Sequence, residues 1–318
     1  MPSVDCVCAG IVVADHVCEP VDHVPAPGEL VLTSRMNLSI GGCASNVAVN
    51  LARLGRTVNV VGKVGRDSFG WFIRDALESS GVATDHLGES ASRDTSGSLV
   101  INSQGEDRRF IHSVGANGEF TGDEITPELL HAGRVLYLGG YCLMDALLPE
   151  KVAELFAAAR AAGTITLLDV VLPCPNDYWP ALNPVLPHTD VFLPNDDESK
   201  LITGLDDPVE QASAFLRAGA GTVVITCGET GAVLASEGQM LKSGRYDVPF
   251  VDGTGSGDAF VSGYIHALLD GADQRKSLRY GSALGASCVR STGATTGVFD
   301  RAELETFVES HSLPIDVI

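Results

Sequence analysis

The sequence predicts an α/β fold, a doubly wound and mostly parallel sheet flanked by helices, with a small β lid. Three observations predict it. Short apolar runs of β type alternate with helical patterns along most of the chain, as serial βαβ units do. The runs carry Val, Ile and Leu at successive positions, as expected of strands covered on both faces. Residues 16–40 and 95–113 break the alternation and read as a separate small sheet. The 318 residues, 45% hydrophobic and 19% charged, suffice for one large α/β domain spanning 1–318.

In chain order, "VDCVCAGIVVAD" opens as a strand. "NVAVNLARLG" reads as a helix closed by Gly55, "TVNVVGKVG" as a strand, and "DSFGWFIRDALESSG" as a helix with an aspartate at its start and Gly81 at its end. Further strands are "RVLYLGG", "TITLLDV", "DVFLPN" and "TVVITCG", with helices such as "LPEKVAELFAAARAAG" between them. Residues 16–40 hold turn-forming Pro and Gly and no helix signal. Residues 95–113 read as two strands joined by a polar turn at Gln104–Gly105. Together they make a candidate lid. The chain shows no internal repeat and no low-complexity tract.

Composition excludes several classes. The formal net charge is −20, with a pI near 4.6. A surface this acidic repels nucleic acid and anionic membranes, yet a local pocket of N–H groups can still hold a phosphorylated ligand. The N-terminus lacks a basic start, and no apolar run is long enough to span a bilayer. The expectation is a soluble cytoplasmic protein. No C-x-x-C occurs among the eight cysteines, so buried reduced thiols are expected. The scattered histidines give no zinc pattern. The P-loop, the G-x-G-x-x-G dinucleotide fingerprint and the G-x-S-x-G elbow are all absent.

Two glycine-rich stretches carry the chemistry. In "VDGTGSGDAF", residues 251–260, a helix is expected to begin near Ser256. Its first N–H groups lack helical partners, and the helix dipole adds positive character. Gly255 and Gly257 let an anion approach. Asp258, in the first turn, is expected to be ionised and able to take a proton. A carboxylate beside an anion cradle suits phosphoryl transfer to a hydroxyl. The plain alternative is an acidic N-cap after a flexible turn; the ten-residue context favours the cradle. In "GGCASNVAVNLARLG", residues 41–55, Gly41 and Gly42 permit close ligand approach, and Asn46 offers a donor and an acceptor for vicinal hydroxyls. A Gly-Gly turn with Asn46 as N-cap is an equal reading of that motif alone.

These motifs, in this order, resemble the ribokinase (PfkB-type) family of carbohydrate kinases. The resemblance continues through "VGKVGRDSFG", "GAN" at 115–117, "LPNDDESKLITG", "VVITCGETGAVL" and "LRYGSALGASCVRSTGA", and so covers nearly the whole chain. It implies a sugar kinase dependent on ATP and Mg²⁺. Asp258 would be the catalytic base, with Gly255, Ser256 and Gly257 as the anion hole. Asp15, Gly41, Gly42 and Asn46 would bind the sugar. Asn195, Thr226, Gly228 and Gly231 would bind the nucleotide. Glu198 would hold Mg²⁺ through water. Asp252 stands where many members bind a monovalent cation such as K⁺, with the loop near Gly293 completing the site. The lid would serve as a homodimer interface, because exposed edge strands favour pairing.

The acceptor is less determined. "GGYCLMDAL" has no acid directly after its glycines, which weakens ribose. The lid lacks the tyrosine–arginine signature of 2-keto-3-deoxygluconate kinases. Arg108 and Arg109 would suit an anionic substrate, although such a pair at a strand start is more often solvated. Phe110 is a weak pointer to a nucleoside base. A nucleoside kinase of the same family, a non-catalytic sugar-binding regulatory protein, and an oxidoreductase on the same sheet are the alternatives. Retention of Asp258, Glu198 and the glycine loop argues against the regulatory protein. The missing dinucleotide fingerprint argues against the oxidoreductase.

Overall fold

A computed structural model of the chain describes residues 4–103 and 109–318. The expected turn at Gln104–Gly105, and Arg108, lie outside the described residues. The order begins β1 (Val4–Gly10), β2 (Val13–Cys18), β3 (Met36–Gly41), α1 (Cys43–Arg53), β4 (Val58–Gly65), α2 (Ser68–Ser79) and β5 (Ala83–Ser90). Then come β6 (Gly97–Ile101), β7 (Arg109–Ser113), α3 (Pro127–Ala132), β8 (Gly133–Tyr141), α4 (Pro149–Ala161), β9 (Ile165–Val170) and α5 (Trp179–Leu182). The chain continues through β10 (Val191–Phe192), α6 (Asp196–Thr203), α7 (Pro208–Arg217), β11 (Thr222–Thr226), β12 (Ala232–Ser236) and β13 (Gln239–Ser243). It ends with α8 (Ser256–Leu269), α9 (Gln274–Cys288), α10 (Arg301–Ser310) and β14 (Ile315–Val317).

The large sheet runs β14-β13-β12-β11-β10-β9-β8-β1-β4-β5. Every pairing from β11 to β5 is parallel, and β12, β13 and β14 extend the sheet antiparallel. Alternate residues serve opposite layers, as the two-residue strand period requires. Val7, Ala9, Leu136 and Leu138 pack with Phe156, Leu182 and Phe215. Cys6, Cys8, Val135 and Tyr137 pack with Leu51, Ile73, Tyr264 and Leu278. Helices therefore cover both faces, as the unbroken apolar runs predict.

The chain leaves β1 toward β4 and β5 on one side, then resumes at β8 and proceeds to β9, β10 and β11 on the other. The direction reverses between β1 and β8. In open parallel sheets the crevice at such a reversal, beyond the strands' carboxyl ends, is where ligands bind.

The first strand differs from expectation. "VDCVCAGIVVAD" is two strands in two sheets, not one. At Gly10 φ is 130°, and β2 then enters a four-stranded sheet of order β3-β2-β6-β7. That sheet is the expected lid, but it begins at Val13 rather than at residue 16. Its β2–β3 and β6–β7 pairs are antiparallel, and β2–β6 is parallel.

The junction between the sheets is held by Asn117, from the GAN stretch. Val12 N–H donates to Asn117 Oδ1 at 3.2 Å, and Asn117 Nδ2 donates to the Val12 carbonyl at 3.0 Å. All these atoms are buried. Asn117→Ala strands both backbone groups of Val12. It should lower unfolding stability by ~2–4 kcal/mol, the sum for two unpaired buried groups. Urea unfolding with an unchanged midpoint would show that Asn117 is not what holds this junction.

Candidate active site

Two glycine turns bring two helix starts together. Asp15 rises from β2, and a side chain at Gly41 would collide with its carboxylate. Glycine at 41 is therefore what lets the lid strand pass so close. Helix α1 begins at Cys43, with Gly42 as its N-cap and no side-chain cap. Asn46 is thus not the N-cap; its N–H already bonds the Gly42 carbonyl at 2.9 Å. Its buried side chain instead donates from Nδ2 to Asp258 Oδ2 at 2.8 Å. The Asn46 Oδ1 atom is buried with no protein partner.

Asp258 sits in the first turn of α8. Gly255 precedes that helix at φ 74°, and a Cβ there would stand 2.5 Å from Ala294 Cα. Residues 259–267 of α8 are buried throughout, so the helix is fixed on every side. A Cβ at Gly257, by contrast, would meet nothing. The helix start therefore faces open space. The expected trio of free amides is reduced: Ser256 N–H donates to the Gly253 carbonyl at 3.2 Å. The first-turn amides of Gly257 and Asp258 have no partner within the helix.

The residues expected to bind the nucleotide form a second group at or beyond the ends of β10 and β11. Asn195 bridges Thr226. Asn195 caps α6 in a reciprocal box: its Oδ1 accepts from Glu198 N–H at 2.8 Å, and Glu198 Oε2 accepts from Asn195 N–H at 2.9 Å. Gly228 and Gly231 flank a tight turn after β11, with Cys227 N–H bonded to the Gly231 carbonyl at 2.8 Å. Asp252 is buried. Its Oδ1 accepts from the Thr254 N–H and hydroxyl, and its Oδ2 accepts from Gly293 N–H at 2.9 Å. It therefore joins the loop before α8 to the loop near Gly293.

Sequence reading missed Asp169 and Cys43. Asp169, one residue before the end of β9, accepts from the buried Tyr137 hydroxyl at 2.9 Å. Cys43 Sγ and carboxylate oxygens of Asp169 and Asp258 lie within 4.8 Å of one another. A lone acid closing the apolar strand "ITLLDV" was the signal for Asp169. Cys43 had none beyond its place after the paired glycines.

Negative charge is crowded here. Burial, followed by Asp258, raises Asp15 to about 6, against a hydrogen bond from Ser98. Burial raises Asp258, and the bonds from Asn46 and Cys43 only partly offset this. Burial thus works against the helix start at Asp258, and a carboxylate raised in this way is a stronger base. Burial and Asp258 also raise Glu198 to about 7, opposed by the Asn195 amide. Asp169 is raised by burial, Glu198 and Asp258. Asp258 acts electrostatically on both Asp15 and Glu198, so the residues expected to bind the acceptor and those expected to bind the nucleotide are coupled through it. The carboxylates offer oxygen ligands without enough countercharge, which fits a Mg²⁺-bearing ligand.

The sequence profile of the pfkB family carbohydrate kinases matches residues 4–301. The Haemophilus influenzae ribokinase is 28% identical over 94% of this chain and 97% of its own. The Bacillus subtilis 2-dehydro-3-deoxygluconokinase is 29% identical over 89% and 90%. The Escherichia coli fructokinase is 30% identical over 84% and 91%. Among solved structures, Arabidopsis thaliana ribokinase complexed with ribose and ATP superposes with a TM-score of 0.84, at 22% identity, covering 98% of this chain and 100% of that one. A putative E. coli ribokinase II in complex with ATP and Mg²⁺ gives 0.82, at 22% identity, over 97% and 100%.

The crowded carboxylates make stability depend on pH. Asp15 and Glu198 have folded pKa values of about 6 and 7, above their ordinary values. The native state thus binds more protons than the unfolded state from about pH 4 to 7, and stability falls as pH rises through that window. The ligand-free protein should melt higher at pH 5.5 than at pH 7.5. Glu198→Gln keeps the capping box and removes one charge. It should flatten that slope and raise Tm at pH 7.5 by about 2 °C, the effect of ~1 kcal/mol in a chain of this size. Thermal melts of both proteins across the window check this; an unchanged slope would exclude Glu198 as a contributor.

Proposed function

The chain belongs to the pfkB family of carbohydrate kinases, and on that premise we propose that it transfers the γ-phosphoryl group of ATP to a hydroxyl of a small sugar with Asp258 as the base. The observation that carries this reading is a carboxylate in the first turn of a rigid helix whose start faces open space at Gly257. The relatives named above are sugar kinases and give the nucleoside-kinase and non-catalytic alternatives no support.

In this reading Asp15, Gly41, Gly42 and Asn46 form the acceptor site. Asn46 also orients Asp258 by its hydrogen bond, presenting the other carboxylate oxygen to the acceptor hydroxyl. That hydroxyl gives its proton to Asp258 while its oxygen bonds to the γ-phosphorus, and the bond to the ADP oxygen breaks. The amides of Gly255, Gly257 and Asp258, with the α8 dipole, stabilise charge on the moving phosphoryl group. Ser256 takes part once its amide leaves Gly253. Asn195, Thr226, Gly228 and Gly231 line the nucleotide site. Glu198, whose Oε1 is outside the capping box, would hold Mg²⁺ through water; the ion supplies neutralisation of the triphosphate. Asp252 and the Gly293 loop would hold a monovalent cation such as K⁺.

The whole chain is treated as one α/β domain with its lid. Its compartment is taken as the cytoplasm. Cysteines held as thiols and not as disulfides fit a reducing environment, and no helix among the described residues is long and apolar enough to cross a membrane.

Asp258→Asn should keep acceptor binding and lower kcat by at least ~10²-fold, the usual loss of a general base. Gly257→Ala should leave Tm unchanged, because its Cβ meets no protein atom, yet lower kcat by ~10-fold or more by obstructing the phosphoryl group. ADP release from Mg-ATP, with calorimetry for binding, checks both. Near-normal turnover in either variant would remove that residue from the site.

We also assign the lid to a homodimer. Leu38, Leu99 and Ile111 share one cross-strand row with His16, on the face opposite Asp15, and all three leucine and isoleucine side chains are exposed. Covering this row would remove apolar area from water. Sedimentation should give a dimer for the parent chain and a monomer for Leu99→Glu/Ile111→Glu. A monomer in the parent at all concentrations would refute the assignment.

A further inference from the structure

Resting on the acceptor site assigned above, we propose that the acceptor is an uncharged polyhydroxylated compound, held on its lid side by a cross-strand row of Asp15, Ser98 and His112, and not a sugar acid or a sugar phosphate. Strand register makes the row. Asp15 stands opposite Ser39 on β3 and beside Ser98 on β6, and Ser98 stands opposite His112 on β7. Directly paired residues project from the same face of a sheet, so Ser39, Asp15, Ser98 and His112 form one line. It lies on the face that Asp15 shares with Gly41, toward α1 and Asp258.

Ser98 stands beside Asp15 in the strand register, and its Oγ is 3.1 Å from His112 Nδ1, so the row continues from the carboxylate through groups that can both donate and accept. The groups that only accept are the Asp15 carboxylate and the buried, unpartnered Asn46 Oδ1.

Sugar hydroxyls supply the donors these atoms lack. A carboxylate or phosphate on the acceptor would bring further acceptors and a negative charge beside Asp15 and Asp258, which already repel each other. Among the described residues, no lysine or arginine figures among the groups that shift Asp15 or Asp258. Arg109 pairs with Ile101 and lies two residues from Ile111, so it projects from the opposite face. Arg108 lies outside the described residues, and the experiment below tests any compensation from it. The sugar-kinase relatives do not decide the matter, since the ribokinase and the 2-dehydro-3-deoxygluconokinase are 28% and 29% identical to this chain.

The test measures ADP release from Mg-ATP by the full-length protein with two sets of acceptors. Ribose, fructose, tagatose and inositols are neutral; 2-keto-3-deoxygluconate, gluconate, ribose 5-phosphate and fructose phosphates are anionic. The best neutral acceptor should exceed every anionic one in kcat/KM by at least ~10²-fold, the discrimination that unpaired polar groups readily produce. Preference for an anionic acceptor overturns this inference and leaves the kinase reading intact. No ADP release with any acceptor overturns the kinase reading, and the inference with it. With the best neutral acceptor, Ser98→Ala and His112→Ala should each raise acceptor KM by ~10-fold, one hydrogen bond's worth, without changing KM for ATP or Tm. His112→Asn, which retains a donor and an acceptor, should restore part of the loss. An unchanged acceptor KM in both alanine variants overturns the role of the row.

Discussion

The 2.8 Å hydrogen bond from Asn46 to Asp258 joins residues 212 positions apart, and the site depends on it. It ties the start of α1 to the start of α8, the two helices that follow the two glycine turns. One end is held by Gly41 and Gly42, which let α1 begin beneath the lid strand that carries Asp15. The other is held by Gly255, whose left-handed backbone and contact with Ala294 leave no room for a side chain. Because α8 is buried along most of its length, Asp258 cannot drift with its helix. Its remaining freedom is rotation of the carboxylate, which the Asn46 amide restricts. Acting as the base proposed above, a carboxylate held in this way would lose little orientation when a hydroxyl arrives.

The second constraint is electrostatic. Asp258, Asp169, Glu198 and Asp15 meet at the reversal between β1 and β8, and each is raised by burial. Such crowding costs stability in the ligand-free chain. In the proposed reaction a cation-bearing nucleotide would relieve it, which would link binding to stability. Local backbone strain lies nearby as well. Cys142, just beyond β8, is the one non-glycine residue among those described with positive φ, at 78°, and burial, followed by Glu198, pushes its thiol up to about 12. Strain of this kind persists where surrounding structure over-determines it.

The lid shows how one sheet takes two roles. With a strand period of two, Asp15, Ser98 and His112 face the cleft, while His16, Leu99 and Ile111 face away. A slip of one residue in either pairing would exchange the two rows. Asn117 pins Val12 where the chain crosses from one sheet to the other, so it fixes the register from which both rows follow.

Much of this was legible in the sequence. Period and composition determine the parallel strands, the helices and the position of the lid, because strand and helix periods are local properties. The glycine motifs point to Asp258 and Asn46, because close backbone approach and helix starts have local signatures, and the family resemblance adds the Asn195–Glu198 pair. Other features needed the folded chain. The break of the first apolar run into two strands has no clear mark, since Ile11 and Val12 continue the β pattern across it. Asp169 and Cys43 join Asp258 only because β9 ends, and α1 begins, beside the start of α8. The Asp15–Ser98–His112 row exists only through strand register, and the loss of the Ser256 amide to Gly253 is set by one turn. Spacing along a chain encodes what a residue can do locally. Which charges and hydrogen-bonding groups face one another across strands and helices is decided by packing, and that decided the chemistry of this cleft.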